Sequence, residues 1–171
     1  GVDANAPVFQ GSLSFIDHNN NYIIIGVATT TESSFKEYKI FYKEGSSGVT
    51  ELDTVHASNT DPNLGDKLFN TATTTTIYGL ATGTQYVFNI WAYDYAGNKA
   101  SATAELVAST NYAPSVPANL GQFKSDGVTG IGNGSWTTED NVKLQASVND
   151  TETDTVLTLY FEVATSTDSF T

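Results

Sequence analysis

The sequence predicts an all-β fold, and three observations carry that prediction. Threonine is abundant, and valine, isoleucine, tyrosine and phenylalanine are well represented. These residue types suit pleated sheets. Several short segments alternate apolar and polar residues with a period of two, which is the pattern of a half-buried strand. Long uninterrupted runs of leucine, alanine, glutamate and lysine, which would favour helices, are missing.

The first 112 residues contain seven predicted strands separated by turn-forming or polar segments. Turns are expected at 17–21 and 45–48, and a long polar insertion with Pro62 and Gly65 is expected at 57–70. The strands are predicted at residues 7–16, 22–28, 38–42, 49–56, 73–78, 86–93 and 102–107. Seven short strands in about 110 residues is the size of a β-sandwich domain.

The segment 80–98, which reads LATGTQYVFNIWAYDYAGN, is the most informative part of the chain. Its strand alternates between two faces, one with Tyr86 and the other with Trp91. Leu80, Gly83 and Tyr86 have the spacing of a tyrosine corner. We therefore expect Tyr86 to be buried, with its hydroxyl group bonded to the backbone just upstream. Residues 94–98 have turn chemistry and should reverse the chain into the next strand.

Together with the strand at 38–42, this segment resembles the fibronectin type III domain in the version common on bacterial surface proteins. The resemblance covers residues 1–112 and implies a β-sandwich. The sequence departs from the family pattern in its second strand, where isoleucines occupy the place of a frequent tryptophan. The alternating pattern of residues 142–163 resembles early strands of bacterial immunoglobulin-like or cadherin-like repeats. Both resemblances imply a cell-surface protein of a bacterium or archaeon.

A proline-containing connector is predicted at 113–118, where Pro114 and Pro117 favour a short, stiff, extended segment. Residues 119–171 then form a partial immunoglobulin-like domain, with strands expected at 120–123, 141–148 and 156–163. A complete sandwich needs roughly twice this length. We therefore expect the second domain to be incomplete in this chain, and the chain to be a processed or excised portion of a longer protein.

The charge balance argues against nucleic acid and anionic membranes as partners. The chain has 19 acidic residues against seven basic ones, for a net charge of −12, and neither half offers a cationic surface. It contains no cysteine, which excludes disulfides and thiolate chemistry. No apolar run is long enough to span a bilayer. An acidic, threonine-rich, cysteine-free composition is typical of secreted proteins, so we expect an extracellular or cell-surface location.

No pattern in the sequence indicates catalysis. The glycine-rich segment 127–134 lacks the following helix that a phosphate-binding loop needs. His18 and His56 stand in separate turn-like contexts without neighbouring metal ligands, and we expect both in solvated loops. No serine lies in a nucleophile elbow. The sequence therefore predicts a protein that is not an enzyme and has no organic cofactor.

Calcium is the one metal that the sequence supports. Asp150, Glu152 and Asp154 alternate along a turn and would bring hard oxygen ligands close together. Carboxylates of Asp94 and of residues 139–140 could add ligands if the two domains abut. The alternative is an exposed acidic turn without an ion, because the glycine and the distant glutamate of an EF-hand loop are missing.

Aromatic residues near the end of the strand predicted at 86–93 suggest a second kind of site. Trp91, Tyr93 and Tyr95 could form a platform on which sugar rings stack. The alternative is cross-strand packing of Trp91 against Tyr38 or Tyr42, without a ligand.

We expect a non-enzymatic structural or adhesive segment that acts as a spacer, surface-layer component or filament subunit. Its partners would be proteins, including further copies that complete the second domain by strand addition. The alternatives are an accessory module of a secreted polysaccharide-degrading enzyme and a carbohydrate-binding adhesin domain.

Overall fold

The computed structural model describes residues 3–152 and 156–163. It has two compact units, Gly1–Tyr112 and Ala113–Thr171. The described residues form three antiparallel sheets and two short 3-10 helices, which confirms the predicted all-β fold class. No helix in this part of the chain is long and apolar enough to cross a membrane.

Unit 1 is a sandwich of two sheets. Its strands are β1 Ser14–His18, β2 Tyr22–Gly26, β3 Phe35–Glu44, β4 Thr54–Ala57, β5 Thr74–Tyr78, β6 Gln85–Asp94, β7 Lys99–Ser101 and β8 Leu106–Ser109. The smaller sheet has the strand order β1-β2-β5, and the larger has the order β4-β3-β6-β7, with β8 paired to β6. The 3-10 helices Pro62–Gly65 and Phe69–Thr71 lie between β4 and β5.

The core lies between the two sheets, as the period-two alternation requires. Alternate residues of the central strands fill this core, and its fully buried strand residues include Ile23, Ile25, Tyr38, Ile40, Ile77, Phe88 and Ile90. The connection between β4 and β5 adds Leu64 and Phe69 to the same cluster. Phe69 stacks on the ring of Tyr38 with 4.7 Å between centroids. The predicted polar insertion is therefore partly a core element.

Phe69 reaches this position through an unusual backbone. Phe69, Asn70 and Thr71 have φ values of +55°, +48° and +69°. The left-handed conformation costs about 1–2 kcal/mol for each residue with a Cβ atom. Burying a phenylalanine contributes about 1.5–3 kcal/mol, and Phe69 is 1% exposed. Burial of this ring thus offsets much of the backbone strain.

The structure differs from the predicted strand limits where side chains bind nearby backbone groups. The predicted strand 49–56 begins only at Thr54, because the Asp53 carboxylate accepts the Thr50 N–H at 2.7 Å and closes a turn. The predicted strand 7–16 contributes one isolated bridge, Phe9 to Thr30, and β1 starts at Ser14. The last predicted strand of this unit, 102–107, is replaced by β7 and β8.

The tyrosine corner is confirmed. Tyr86 is 6% exposed, and its hydroxyl oxygen accepts the Ala81 N–H at 2.9 Å. The Thr110 hydroxyl donates to the Ala81 carbonyl at 2.6 Å, so both polar groups of Ala81 are bound. Gly83 has a φ of +61°, and a Cβ atom there would collide with the ring of Tyr112. The corner therefore requires glycine at this position.

Unit 2 contains one small sheet. Strand β9 (Ala118–Lys124) lies between β10 (Gly130–Ile131) and β11 (Val142–Ser147). Every described residue of this unit is at least partly exposed, including Leu120 and Trp136. The strand predicted at 156–163 is wrong: this segment forms no strand and pairs with none of the described strands. The glycine-rich loop holds β10, which the sequence did not predict.

We expect Tyr86→Phe to lower the free energy of unfolding by about 1 kcal/mol, because it removes the acceptor for the Ala81 N–H. The loss stays small because Ala81 is exposed and water can replace the hydroxyl group. Urea unfolding followed by circular dichroism measures the change. Tyr95→Phe is the matched control, since Tyr95 is 78% exposed and should leave stability unchanged. Equal effects of the two substitutions would contradict the role of the corner.

Candidate functional site

The outward side of the larger sheet is the first candidate surface. Strand β6 places Phe88 and Ile90 in the core. Because successive side chains of a strand point to opposite faces, Trp91 and Tyr93 lie on the outward face. Trp91 packs edge-on against Phe41 of β3, with 5.1 Å between ring centroids. Cross-strand packing of Trp91 is therefore observed, with Phe41 as its partner. Tyr38 and Tyr42 pack with the core cluster on the other side.

Tyr93 belongs to a polar cluster beside this aromatic pair. Its hydroxyl group donates to Glu51 at 2.5 Å, and Lys99 pairs with the other oxygen of Glu51. The ammonium group of Lys39 lies 4.9 Å from the centroid of the Tyr93 ring and 3.3 Å from Glu37. Such cation–π contacts contribute about 0.5–1 kcal/mol at exposed sites. The cluster joins β3, β6, β7 and the turn that precedes β4.

The electrostatics of the cluster keep its carboxylate ionised. The hydrogen bonds from Lys99 and then Tyr93 hold the pKa of Glu51 below its usual value. The pKa of Tyr93 is raised by burial and by its hydrogen bond to Glu51. Tyr93 therefore stays protonated and acts as a donor, not as a base, at neutral pH.

A concavity of about 550 Å³ adjoins the cluster and is lined in part by Lys39, Glu51, Asn59 and Tyr93. Polar groups converging beside an aromatic ring are typical of sites for small polar ligands. The predicted three-ring platform is only partly available, because Phe41 covers part of Trp91 and Lys39 covers Tyr93. Tyr95 is the most exposed of the three rings. Polar contacts, more than stacking, would bind a sugar here.

His56 lies in a buried hydrogen-bond network, so its predicted place in a solvated loop is wrong. His56 is 8% exposed. Its Nε2 atom lies 2.9 Å from the Thr75 hydroxyl, which donates its proton to Asp61 at 2.5 Å. Nε2 must therefore carry a hydrogen and donate it to Thr75. Nδ1 lies 3.0 Å from the Thr60 hydroxyl.

The order of these groups does not match a nucleophile–base–acid triad. In a catalytic triad the histidine lies between the hydroxyl and the carboxylate and takes the proton of the hydroxyl. Here Thr75 lies in the middle and gives its proton to Asp61. The network ties β4 and β5 to the start of the Pro62–Gly65 helix, where Asp61 also accepts the Asn63 N–H at 3.0 Å. The network therefore holds these three segments together.

The predicted calcium ligands are described in part. Asp150 accepts the Glu152 N–H at 3.4 Å with one oxygen, and its other oxygen is buried without a hydrogen bond. An orphaned carboxylate oxygen fits an ion ligand. Asp154 lies outside the described residues. Glu139 accepts the Ser125 N–H at 2.7 Å, and this bond lowers its pKa. The calcium site stays a prediction.

Asp94 belongs to a second acidic group, which the sequence did not reveal because its members are far apart in the chain. Oxygens of Asp3, Glu32 and Asp94 lie within 4.8 Å of one another. Burial raises the pKa of Asp94, but hydrogen bonds from the side chain and N–H of Asn98 and from N–H groups of residues 96 and 97 outweigh it, so the pKa is lowered. Glu32 accepts the Ser34 N–H at 2.7 Å. These bonds explain the positions of Glu32 and Asp94 without an ion.

The chain matches no protein-family model and no curated protein sequence.

We expect the stability of unit 1 to fall as the pH drops below about 6.5, the pKa of an unfolded histidine, in a way that depends on His56. Burial lowers the pKa of His56, and Asp61 opposes this only in part. The stabilisation is complete above the pKa of an unfolded histidine, about 6.5. It is lost as the pH falls through the lower pKa of the folded state. Urea unfolding at several pH values should show a flatter pH dependence of stability for His56→Gln than for the unmodified chain. Parallel curves would contradict this.

If the acidic turn of unit 2 binds calcium, the ion should raise the melting temperature of that unit. Asp150→Asn should abolish the increase, because it removes a ligand charge. Glu32→Gln is the control: it alters the acidic group of unit 1 and should leave the calcium-dependent rise in melting temperature intact. Calorimetry of the full chain with calcium and with chelator measures both. Identical melting curves under the two conditions would contradict the site.

Proposed function

We propose that this chain is a non-enzymatic, extracellular structural or adhesive segment of a cell-surface protein, serving as a spacer, surface-layer component or filament subunit. In this proposal residues 1–112 are a fibronectin type III-like domain. Residues 113–118 are a connector, and residues 119–171 belong to an immunoglobulin-like domain. Such a segment acts through its shape and its contacts with other proteins.

The observation that supports a structural role best is how unit 1 fastens its connections. Glu105 accepts the N–H groups of Gly48 and Val49 at 2.9 and 2.6 Å, which ties the β3–β4 turn to the segment before β8. Asp94 accepts the Asn98 N–H at 2.7 Å across the β6–β7 turn. Charge-assisted bonds of this kind are stronger than neutral ones. Polar side chains in these connections thus serve to hold the shape of the module.

The sandwich architecture supports the assignment of domain type. Two antiparallel sheets enclose one core, and a tyrosine corner opens the long strand β6. This arrangement agrees with the resemblance of residues 80–98 to fibronectin type III domains. An architecture alone does not select a function, since sandwiches serve many. The same module would suit an accessory position in a secreted polysaccharide-degrading enzyme.

Carbohydrate binding is the second candidate, and the concavity beside Tyr93 favours it. Glu37, Lys39 and Glu51 supply donors and acceptors there, and Asn59 is exposed at its margin. A sugar bound at this site would lie near Trp91, whose fluorescence would report it.

The test of the proposal has two parts. Intact cells that make the protein are treated with protease, and we expect the protein to be cleaved while a cytoplasmic marker survives. The purified chain is then titrated with a panel of oligosaccharides, and tryptophan fluorescence should not change.

Two results would contradict the proposal. Protection of the protein until the cells are lysed would exclude a surface location. Saturable binding of one sugar that Tyr93→Ala abolishes would establish the carbohydrate-binding alternative. Tyr95→Ala is the matched control, because Tyr95 lies outside the concavity.

A further inference from the structure

Strand β5 is a sheet edge without the usual protection. Proteins guard edge strands with lysine, proline, bulges or very short length. The opposite edge of the same sheet, β1, has a register shift between Phe15 and Asp17. In the larger sheet β7 has only three residues and begins with Lys99. By contrast β5 pairs with β2 over five residues in unbroken register and contains no charged residue and no proline. Among the described residues, no strand bonds its other side.

The register shows which backbone groups of β5 are free. Val27 N–H donates to the Thr73 carbonyl at 3.0 Å, one step beyond the pair Gly26–Thr74. Bonded and non-bonded pairs alternate in an antiparallel ladder. The N–H and C=O groups of residues 75 and 77 therefore point to β2. Those of Thr74, Thr76 and Tyr78 point away from the sheet.

An open cleft lies along this edge. It has a volume of about 430 Å³ and is lined by all five residues of β5, by Val55 and His56 of β4, and by Tyr42. The Asp61 carboxylate at the cleft accepts the Thr75 hydroxyl proton and the Asn63 N–H. The strand is thus accessible from the side on which its backbone groups are free.

The charge of the chain selects the kind of strand that can add here. With a net charge of −12, most self-contacts would bring carboxylates together. Antiparallel pairing of β5 with its own copy brings only uncharged residues of the sequence TTTIY into register. Like charges directly opposite destabilise a strand pair, whereas threonine pairs stabilise it. A second copy of this chain fits these requirements.

We propose that two copies of this chain associate edge to edge through β5, antiparallel, about a two-fold axis at Thr76. Thr76 then faces its own counterpart, and Thr74 faces Tyr78 of the second copy. Both are hydrogen-bonded pairs, because the free backbone groups recur at every second residue. The β1-β2-β5 sheets of the two copies become one continuous sheet. This contact closes on itself, so it yields a dimer and not a filament. It rests on the edge geometry and does not depend on the proposed cellular role.

Because the chain has no cysteine, one introduced thiol reports the axis directly. In a hydrogen-bonded antiparallel pair the Cα atoms are about 5.5 Å apart, which is within the range for a disulfide. We expect Thr76→Cys in the full chain to form a disulfide-linked dimer under mild oxidation. Thr74→Cys is the matched control. Its counterpart would lie about 14 Å away along the strand, so it should cross-link far more slowly.

Light scattering of the unmodified chain supplies the second measurement. A five-residue strand pair is a small contact, so we expect a weak dimer whose average mass rises above 18.2 kDa as concentration increases. Thr76→Lys places two like charges on the axis and should keep the chain monomeric. Thr103→Lys adds the same charge at an exposed site of unit 1 away from β5 and should still dimerise.

Three results would overturn the proposal. They are a constant monomer mass at every concentration, equal cross-linking at positions 74 and 76, and association that Thr76→Lys leaves unchanged. Species larger than a dimer would likewise show that β5 does not pair with itself about a closed axis. If Thr76→Lys fails to fold, the cysteine pair still decides the question.

Discussion

Strand β6 is buried on both of its faces, and unit 1 is organised around that constraint. Phe88 and Ile90 fill the space between the sheets, while Val87 packs with Phe41 and Val49 on the opposite side. Asn89 is 7% exposed, so its amide needs internal partners. It donates to the Ala102 carbonyl at 3.3 Å and accepts the Ile90 N–H at 2.8 Å. The bond to Ala102 helps to fix the chain just after the end of β7. Strands β3, β7 and β8 all pair with β6.

Local patterns predicted the elements that depend on local chemistry. The alternation in residues 86–93, the turn at 94–98 and the position of Tyr86 all follow from side chains close together in sequence. The late start of β4 was missed because the Thr50 N–H donates to the Asp53 carboxylate, and this bond competes with the hydrogen bonds between strands. The burial of His56 and the grouping of Asp3 with Asp94 arise from contacts between distant segments. Period-two alternation in residues 156–163 indicates a strand only where a partner strand is present.

Acidic residues in this chain often serve as hydrogen-bond acceptors for the backbone. Asp126 is the clearest case. The Thr129 hydroxyl group and the N–H groups of residues 128 and 129 lower the pKa of Asp126 to about 2. Asp53 follows the same rule through the Thr50 N–H, and its pKa is also lowered. A strongly negative net charge is therefore compatible with a well-defined fold, because carboxylates such as these accept hydrogen bonds within turns and do not simply repel one another.

The left-handed turn at Phe69 bears on where new sequence can be added to this module. Long surface connections are ordinarily the places where chains accept insertions. In unit 1 the longest connection carries Leu64 and Phe69 into the core, and its backbone is held in a conformation that an insertion would release. Ser46 and Ser47, between β3 and β4, are exposed and place no side chain in the core. Epitope tags, labels or grafted peptides therefore belong at that short turn, although the longer loop looks more permissive in the printed sequence.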